Sequence, residues 1–251
     1  MKNILAVLVN YGDEQLNYLQ EVVNELKSFE KYNVKIAVHS NIPLESINGI
    51  DETFVVELSD YQLLPMTCRQ TIIHNKDSFD YFIFSENDHL WKEHHVDKYI
   101  EYEDILPSDR ISGLIQYEED STGKYYPAYH AHYDWDYNSV EEYGGKKFAH
   151  FTNIHQASFI LSKSKLEQID LIRDFSQFFS NDHYSYKCKT NTDIYGHAGM
   201  KKLICISEFN DNLIHHLPNI YINGGPGDVE YRIKQRSDDK RMQDALKRLL
   251  A

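Results

Sequence analysis

The sequence contains few cysteines and no long apolar run. Its three cysteines, Cys68, Cys188 and Cys205, are odd in number and show no C-x-x-C spacing. This excludes a disulfide-stapled mini-protein and argues against a cysteine-rich zinc site, so we expect three reduced core residues. No window approaches the roughly 18 consecutive apolar residues of a membrane-spanning helix. Since the first residues also lack the pattern of a signal peptide, we predict a cytoplasmic protein.

Basic residues are scarce as well. The 251 residues include 26 lysines and arginines against 39 aspartates and glutamates, which gives a formal net charge of -13. Such a charge repels nucleic acid, which we exclude as a partner. It would also repel a phosphate-bearing ligand unless a cation intervenes. The hydrophobic fraction of 41% is ordinary for a globular chain, so we expect a well-formed core.

The first residues predict a β-α-β unit. Ile4 to Val9 form a continuous apolar run, which is typical of a strand buried on both faces of a parallel sheet. From Leu16 to Leu26, apolar residues recur at three- and four-residue steps, which predicts an amphipathic helix with Asp13 as its N-cap. A second strand is expected over Val34 to Val38.

The alternation continues to about residue 90. We predict a short strand at Thr53 to Leu58, a helix at Leu64 to His74 and a central strand at Tyr81 to Phe84. This order is typical of a doubly wound α/β sheet, in which ligands bind beyond the carboxyl ends of the strands.

Polar residues follow three of these strands, at Asn10 to Asp13, His39 to Asn41 and Ser85 to Asp88. The last segment holds two carboxylates, Glu86 and Asp88, at a strand end. Their spacing would let them share one divalent cation, which could in turn hold a diphosphate. The alternative is that the segment merely caps a following helix.

The pattern loosens in the second half. We predict a strand at Ile111 to Tyr117, then an aromatic segment from Tyr125 to Tyr143 that suits either a binding surface or the rim of a core. A strand at Ala157 to Leu161, a helix at Ser164 to Phe179 and a strand at Lys202 to Ile206 follow. Since no linker or repeat interrupts the chain, we expect a single domain.

Three segments occur in the order of a known family. Val7 to Gly12 form an opening strand and loop, Cys68 to Ile72 lie on a helix that carries an arginine, and Phe82 to Asp88 end in an acidic motif. Together they resemble the nucleotide-sugar glycosyltransferases of the GT-A fold, whose signature is a DxD-type motif at a strand end. The motif departs from the family in having Glu86 and Asn87 before the final aspartate.

The resemblance implies a GT-A-like α/β fold with a Rossmann-type, mostly parallel central sheet flanked by helices. Residues 1–108 would bind the nucleotide sugar. Residues 109–230 would form an irregular half that binds the acceptor, followed by a basic C-terminal helix over 231–251.

The resemblance also implies roles for individual residues. A divalent cation, Mn²⁺ or Mg²⁺, would be held by Asp88, Glu86 and His216. The attacking hydroxyl of a glycan or lipid-linked acceptor would lose its proton to Asp193. The residues implied to contact the nucleotide-diphosphate sugar are Val9, Asn10, Tyr11, Asp13, His39, Arg69, Glu86 and Asn87.

Ordinary structural roles compete with these. Asp193 could be a helix N-cap or a solvated loop residue, and Arg69 could form a surface ion pair. Of His215 and His216, one could be packed in the core while the other faces solvent. Other carboxylates that compete for the role of general base are Glu118, Glu119, Asp134 and Asp136.

The C-terminal segment 231–251 combines an excess of basic residues with a partial apolar stripe. It could contact an anionic membrane surface peripherally or bind a partner, or it could dock on the domain as an ordinary helix. For the whole chain we favour a metal-dependent glycosyltransferase. The alternatives are a metal-dependent phosphate-ester hydrolase and a non-catalytic glycan- or nucleotide-binding protein.

Overall fold

The computed structural model of the chain describes residues 1–121, 123–127, 133–179, 184–222 and 239–251. Its helices are α1 (Leu16–Lys27), α2 (Leu64–His74), α3 (Glu93–Ile105), α4 (Lys163–Ile172), α5 (Tyr186–Gly196) and α6 (Asp239–Leu250), with short 3₁₀ helices at Tyr61–Leu63 and Phe209–Asn212. Its strands are β1 (Lys2–Asn10), β2 (Tyr32–Ser40), β3 (Glu52–Val55), β4 (Tyr81–Glu86), β5 (His89–Leu90), β6 (Arg110–Ser112), β7 (Ile115–Asp120), β8 (Gly123–Tyr125), β9 (Glu141–Tyr143), β10 (Lys146–Ala149), β11 (Ser158–Ser162), β12 (Lys201–Cys205) and β13 (Leu213–His216).

The chain divides into two compact units, each built from two separate stretches. The first unit comprises residues 1–96 and 157–200, and the second comprises residues 97–156 and 201–251. This division does not follow the expected boundary near residue 108. Residues 157–200 belong to the first unit because β11 pairs with β4 in its sheet.

The first unit is a mostly parallel α/β sheet, which confirms the α/β part of the predicted fold class. Its strand order is β11-β4-β1-β2-β3. Strand β1 runs parallel to β2 and β4, and β2 runs parallel to β3, whereas β11 is antiparallel to β4. Ile4 to Leu8 are at most 2% exposed, because helices cover both faces of a central strand in a parallel sheet, which is why β1 is an unbroken apolar run.

The register of β1 brings the predicted polar edge together. Val9 aligns with His39 on β2 and with Glu86 on β4, and Asn10 aligns with Ser40. From β1 the chain proceeds to β2 and β3 on one side and then crosses to β4 on the other side. The carboxyl ends of β1 and β4 therefore form a topological switch point, the place where open α/β sheets bind ligands.

Helix ends depart from two of the predictions. Asp13 does not cap α1, because the N-cap position is Gln15, and an N-cap side chain reaches only amides two or three residues on. Helix α4 ends at Ile172, before the predicted Phe179. The carbonyls of Phe175 and Gln177 accept hydrogen bonds from an arginine side chain.

The second unit contains regular sheets where an irregular half was expected. One sheet has the order β6-β12-β10-β9, and elsewhere β13 pairs parallel with β7 and β7 antiparallel with β8. The predicted single strand at Ile111 to Tyr117 is split at Gly113 between β6 and β7. A Cβ atom at Gly113 would lie 2.3 Å from Cε of Lys202, so a larger residue at the split would displace the Lys202 side chain.

The aromatic segment contributes to the core of the second unit. Tyr126 and Trp135 are buried there, and Tyr133 and Tyr137 pack against them and their neighbours. Tyr129 lies outside the described residues. The described side chains therefore match the core-rim alternative and not an exposed sugar-stacking surface.

The C-terminal helix α6 docks on the same core. Its buried residues are Met242, Ala245, Leu246 and Leu249. The docked-helix alternative is thus confirmed for 239–250, and this apolar side is not available to a membrane; residues 231–238 lie outside the described part of the chain. In that described part, no helix combines the length and the apolar character needed to cross a bilayer.

Candidate functional site at the carboxyl end of the parallel sheet

Three side chains of types that can bind metal ions lie close together where β4 ends. One ligand atom of each of Glu86, Asp88 and His89 lies within 4.8 Å of the others. Asp88 and His89 are 5% and 1% exposed, whereas Glu86 is half-buried. Buried β4 carries these residues to the switch point. His89 was not predicted as a ligand, although its position directly after the acidic motif was visible in the sequence.

Asp88 does not cap a helix. The residues after β4 form a turn and the short strand β5, and α3 begins only at Glu93. An N-cap side chain must lie next to the first helical residue to reach the free amides. The structure thus excludes the capping role that competed with metal binding for Asp88.

The donor set of this cluster fits a divalent cation. Nδ1 of His89 lies 2.9 Å from Oδ1 of Asp88. Two carboxylates and one imidazole suit Mn²⁺ and similar cations, and carboxylates alone would also serve Mg²⁺.

A buried amide network joins this cluster to the end of β1. Nδ2 of Asn87 donates to Oδ1 of Asn10 at 2.7 Å, and Nδ2 of Asn10 donates to the Gly12 carbonyl at 3.0 Å and to Oγ of Ser40 at 3.1 Å. The amide of Gly12 donates to Oδ1 of Asn41 at 2.7 Å. The ends of three parallel strands are therefore linked by side chains that the sequence placed at one edge.

His39 is not directed at a ligand, contrary to its predicted role. Its Nδ1 lies 2.7 Å from Oγ1 of Thr67 and its Nε2 lies 2.9 Å from Oγ1 of Thr71. Thr67 has one hydroxyl hydrogen, which the nearby Leu64 carbonyl accepts at 2.7 Å. The consistent tautomer therefore has the hydrogen on Nδ1. Burial lowers the pKa of His39 from 6.5 to about 4, so the ring is neutral at pH 7.

This pKa predicts an acid-sensitive stability. Between pH 6.5 and about 4 the unfolded chain binds a proton at His39 that the folded chain does not, so stability falls as the pH falls through this range. The shift corresponds to about 3 kcal/mol. We expect His39→Gln to remove a loss of this order from the pH dependence of urea unfolding. The exposed His74→Gln is the matched control, and equal pH profiles for both variants would contradict the prediction.

The loop after β1 is the accessible part of this edge. Tyr11 is 63% exposed, and its ring centroid lies 5.5 Å from that of Tyr61. Asp13 is exposed in the same loop. Of the predicted donor-binding residues, Tyr11, Asp13 and Glu86 therefore present side chains to solvent, whereas Val9 is buried in β1.

Arg69 and Asp193 are placed differently from the predictions. Both are 0% exposed, and Nη1 of Arg69 lies 3.6 Å from Oδ2 of Asp193. Nε and Nη2 of Arg69 donate to the carbonyls of Phe175 and Gln177, and the guanidinium lies over the rings of Phe175 and Phe179. Asp193 accepts the amide of Phe179 at 2.7 Å.

This arrangement is a buried ion pair that holds residues 175–179 between α2 and α5. Burial lowers the pKa of Arg69 to about 10, and the charge of Asp193 opposes that shift, so the guanidinium stays protonated at pH 7. Neither side chain is placed to contact a donor or an acceptor. The surface ion pair that competed for Arg69 is likewise replaced by a buried one.

His216 is paired with a carboxylate within the second unit. Its Nδ1 lies 2.6 Å from Oε1 of Glu118, a fully buried carboxylate that also accepts the amides of Tyr221 and Ile222. Glu118 therefore holds a turn and is not an exposed base. Among the described residues, the histidine grouped with Glu86 and Asp88 is His89, not His216.

Helix α5 also lies near the end of β4. Burial is the largest cause that raises the pKa of the Cys188 thiol, and the charge of Glu86 adds to it. Of the three cysteines expected in the core, Cys68 and Cys205 are buried, whereas Cys188 is only half-buried.

Comparison with known proteins does not assign this chain to a family. Neither a scan against protein-family models nor a search of curated proteins finds a match to this chain. The functional argument therefore depends on the geometry of the sheet edge and on the chemistry of its side chains.

Proposed function

We propose that this chain is a metal-dependent glycosyltransferase, which moves a sugar from a nucleotide-diphosphate sugar to a hydroxyl of a glycan or lipid-linked acceptor. The observation that carries the proposal is the cluster of Glu86, Asp88 and His89 at the switch point of a mostly parallel sheet. A cation site at this position can hold a diphosphate where such sheets bind nucleotides.

Three residues are proposed to bind the metal ion. Glu86, Asp88 and His89 would hold Mn²⁺ or Mg²⁺. When bound, the cation stabilises the negative charge that builds on the departing diphosphate, and it does so more strongly in the transition state than in the ground state. The net charge of -13 supports this reading, since an acidic chain would otherwise repel its donor.

The donor side uses the loop after β1. The exposed ring of Tyr11, beside Tyr61, offers an aromatic face to a nucleotide base. The exposed carboxylate of Asp13 can accept hydrogen bonds from ribose hydroxyls. This edge of the sheet is stabilised by the buried side chains of Val9, Asn10, His39 and Asn87. Arg69 does not contact the donor, because it is buried in an ion pair.

Proton removal from the acceptor is not assigned to Asp193. A general base must come within hydrogen-bond reach of the hydroxyl that it deprotonates, and Asp193 is fully buried and bonded to Phe179. Of the competing carboxylates, Glu118 is also buried and bonded to backbone amides.

The same cluster supports a second function, a metal-dependent hydrolase of phosphate esters. A cation held by carboxylates and an imidazole can also lower the pKa of a bound water and so supply a nucleophile at neutral pH. The exposed Tyr11 loop favours the transferase, because simple phosphate esters have no base to stack on it.

One experiment separates these functions. The chain is heated with a panel of nucleotide-diphosphate sugars, each with and without Mn²⁺, and the release of nucleoside diphosphate is then measured with the stabilising donor. We expect a donor to raise Tm only when Mn²⁺ is present, because ligands that bind the folded state stabilise it. Acceptor saccharides should accelerate the release.

Other outcomes would reject the transferase. Turnover of p-nitrophenyl phosphate without a donor sugar would establish the hydrolase. Donor-dependent stabilisation without release, under any acceptor tried, would establish a binding protein. No stabilisation by any metal and donor pair would remove the nucleotide-sugar proposal altogether.

A further inference from the structure

Building on the proposed metal site, we propose that Asn10 is a positioning residue for this site. Its buried side-chain amide holds Asn87, and through Asn87 it sets the turn on which Asp88 is presented beside Glu86. Asn10 was predicted to contact the donor directly. The structure gives its side chain a different task.

The amide of Asn10 is fully used within the protein. Asn10 is 0% exposed. Both hydrogens of its Nδ2 have acceptors, the Gly12 carbonyl at 3.0 Å and Oγ of Ser40 at 3.1 Å, while its Oδ1 accepts from Asn87 at 2.7 Å. An asparagine side chain offers two donor hydrogens and one carbonyl oxygen, so all three groups are engaged. Asn10 therefore acts on the site through its neighbours.

Asn87 is the point at which this network can act on the metal ligands. It lies between Glu86 and Asp88 in the chain, and its buried Nδ2 reaches back to β1. Glu86 is held separately at the sheet: its amide donates to the Ala157 carbonyl at 3.3 Å, and its carbonyl accepts from Oγ of Ser85 at 2.9 Å. The Asn10–Asn87 bond thus restrains the turn just after the last residue of β4.

An aspartate at position 10 could not make the same hydrogen bonds. It could accept from Asn87, but it would have no hydrogen to donate to the Gly12 carbonyl. It would also add a negative charge close to two carboxylates. The neutral amide links the β1 loop, β2 and the acidic turn without changing the charge of the site.

The test measures Mn²⁺ binding to the chain without any nucleotide. Free Mn²⁺ is followed by electron paramagnetic resonance in titrations of wild type, Asn10→Ala, Asn87→Ala and the double variant. We expect each single substitution to weaken Mn²⁺ affinity about 10- to 100-fold, the usual effect of losing a group that orients metal ligands. The double variant should bind Mn²⁺ about as tightly as the single variant with the lower affinity, because Asn10 and Asn87 act through one hydrogen bond.

Asn33→Ala is the matched control. It removes an asparagine–asparagine bond between β2 and β1, in which Nδ2 of Asn33 donates to Oδ1 of Asn3 at 3.0 Å, at the end of β1 opposite to Asn10. Its Mn²⁺ affinity should equal that of wild type. If Asn10→Ala does not fold, Asn10→Ser is used in its place, because a serine hydroxyl is too short to reach Asn87. The same change in Mn²⁺ affinity is expected for Asn10→Ser.

The outcomes distinguish this proposal from the proposed function. If wild type binds Mn²⁺ and Asn10→Ala binds it equally well, or if the losses in Asn10→Ala and Asn87→Ala add fully, Asn10 does not position the site. A lower Tm at unchanged Mn²⁺ affinity would likewise assign Asn10 a structural role only. If wild type binds no Mn²⁺, the metal-dependent function fails together with this proposal.

Discussion

Asp88→Asn is expected to abolish metal-dependent donor binding and to lower the transfer rate by about a thousandfold or more. The substitution removes one anionic ligand from a cluster of three. Loss of about 4 kcal/mol of transition-state stabilisation by a cation corresponds to about a thousandfold in rate. Stability should change little, because Asp88 caps no helix and asparagine has nearly the same shape. Donor affinity with and without Mn²⁺, transfer rate and Tm check these points.

Asp77→Asn is the matched control for that variant. Asp77 is an exposed aspartate before the amino end of β4, where it pairs with Lys163 at 2.9 Å. It should leave Mn²⁺ affinity and transfer unchanged. If Asp88→Asn keeps full Mn²⁺-dependent donor affinity, the cluster at the end of β4 is not the metal site.

The largest effect on stability is expected at the buried ion pair. Asp193→Ala leaves the guanidinium of Arg69 fully buried without its carboxylate partner and removes the acceptor of the Phe179 amide. Breaking one side of a buried ion pair costs about 3–5 kcal/mol. The free energy of urea unfolding of Asp193→Ala should fall by about this amount.

Two further variants test the cause of that loss. Asp174→Asn changes an exposed carboxylate next to this segment, where it accepts from Ser176, and should cost about 1 kcal/mol. The double variant Arg69→Met and Asp193→Leu replaces the pair with apolar groups and should recover part of the stability. If Asp193→Ala is as stable as wild type but inactive in transfer, the general-base role of Asp193 would be restored.

Local periodicity accounts for the parts of the fold that could be predicted. The bounds of α2 agree with the prediction at both ends, and β1, α1, β2 and β4 lie where their patterns place them. These patterns are readable because side-chain spacing within a helix or strand depends only on near neighbours in the chain. Because the same pattern predicted where β4 ends, it also placed Glu86 and Asp88 at the edge of the sheet.

Partners that meet through space could not be predicted in this way. The family resemblance implied a role in the site for Arg69 and for Asp193, yet they pair with each other across distant parts of the chain. The same holds for His216, which is paired with Glu118, while His89 joins the acidic cluster. Nothing in their spacing encodes these contacts.

The sequence by itself therefore determined the mostly parallel α/β character of the first sheet and the strand that leads into Glu86 to Asp88. Tertiary structure alone decided that β11 completes the first sheet, that Asn10 bonds to Asn87 and that Arg69 is buried against Asp193. The physical reason is that periodicity reports which face of an element is apolar. Which polar side chains become partners depends on strand order and register, and these are set only when the whole sheet assembles.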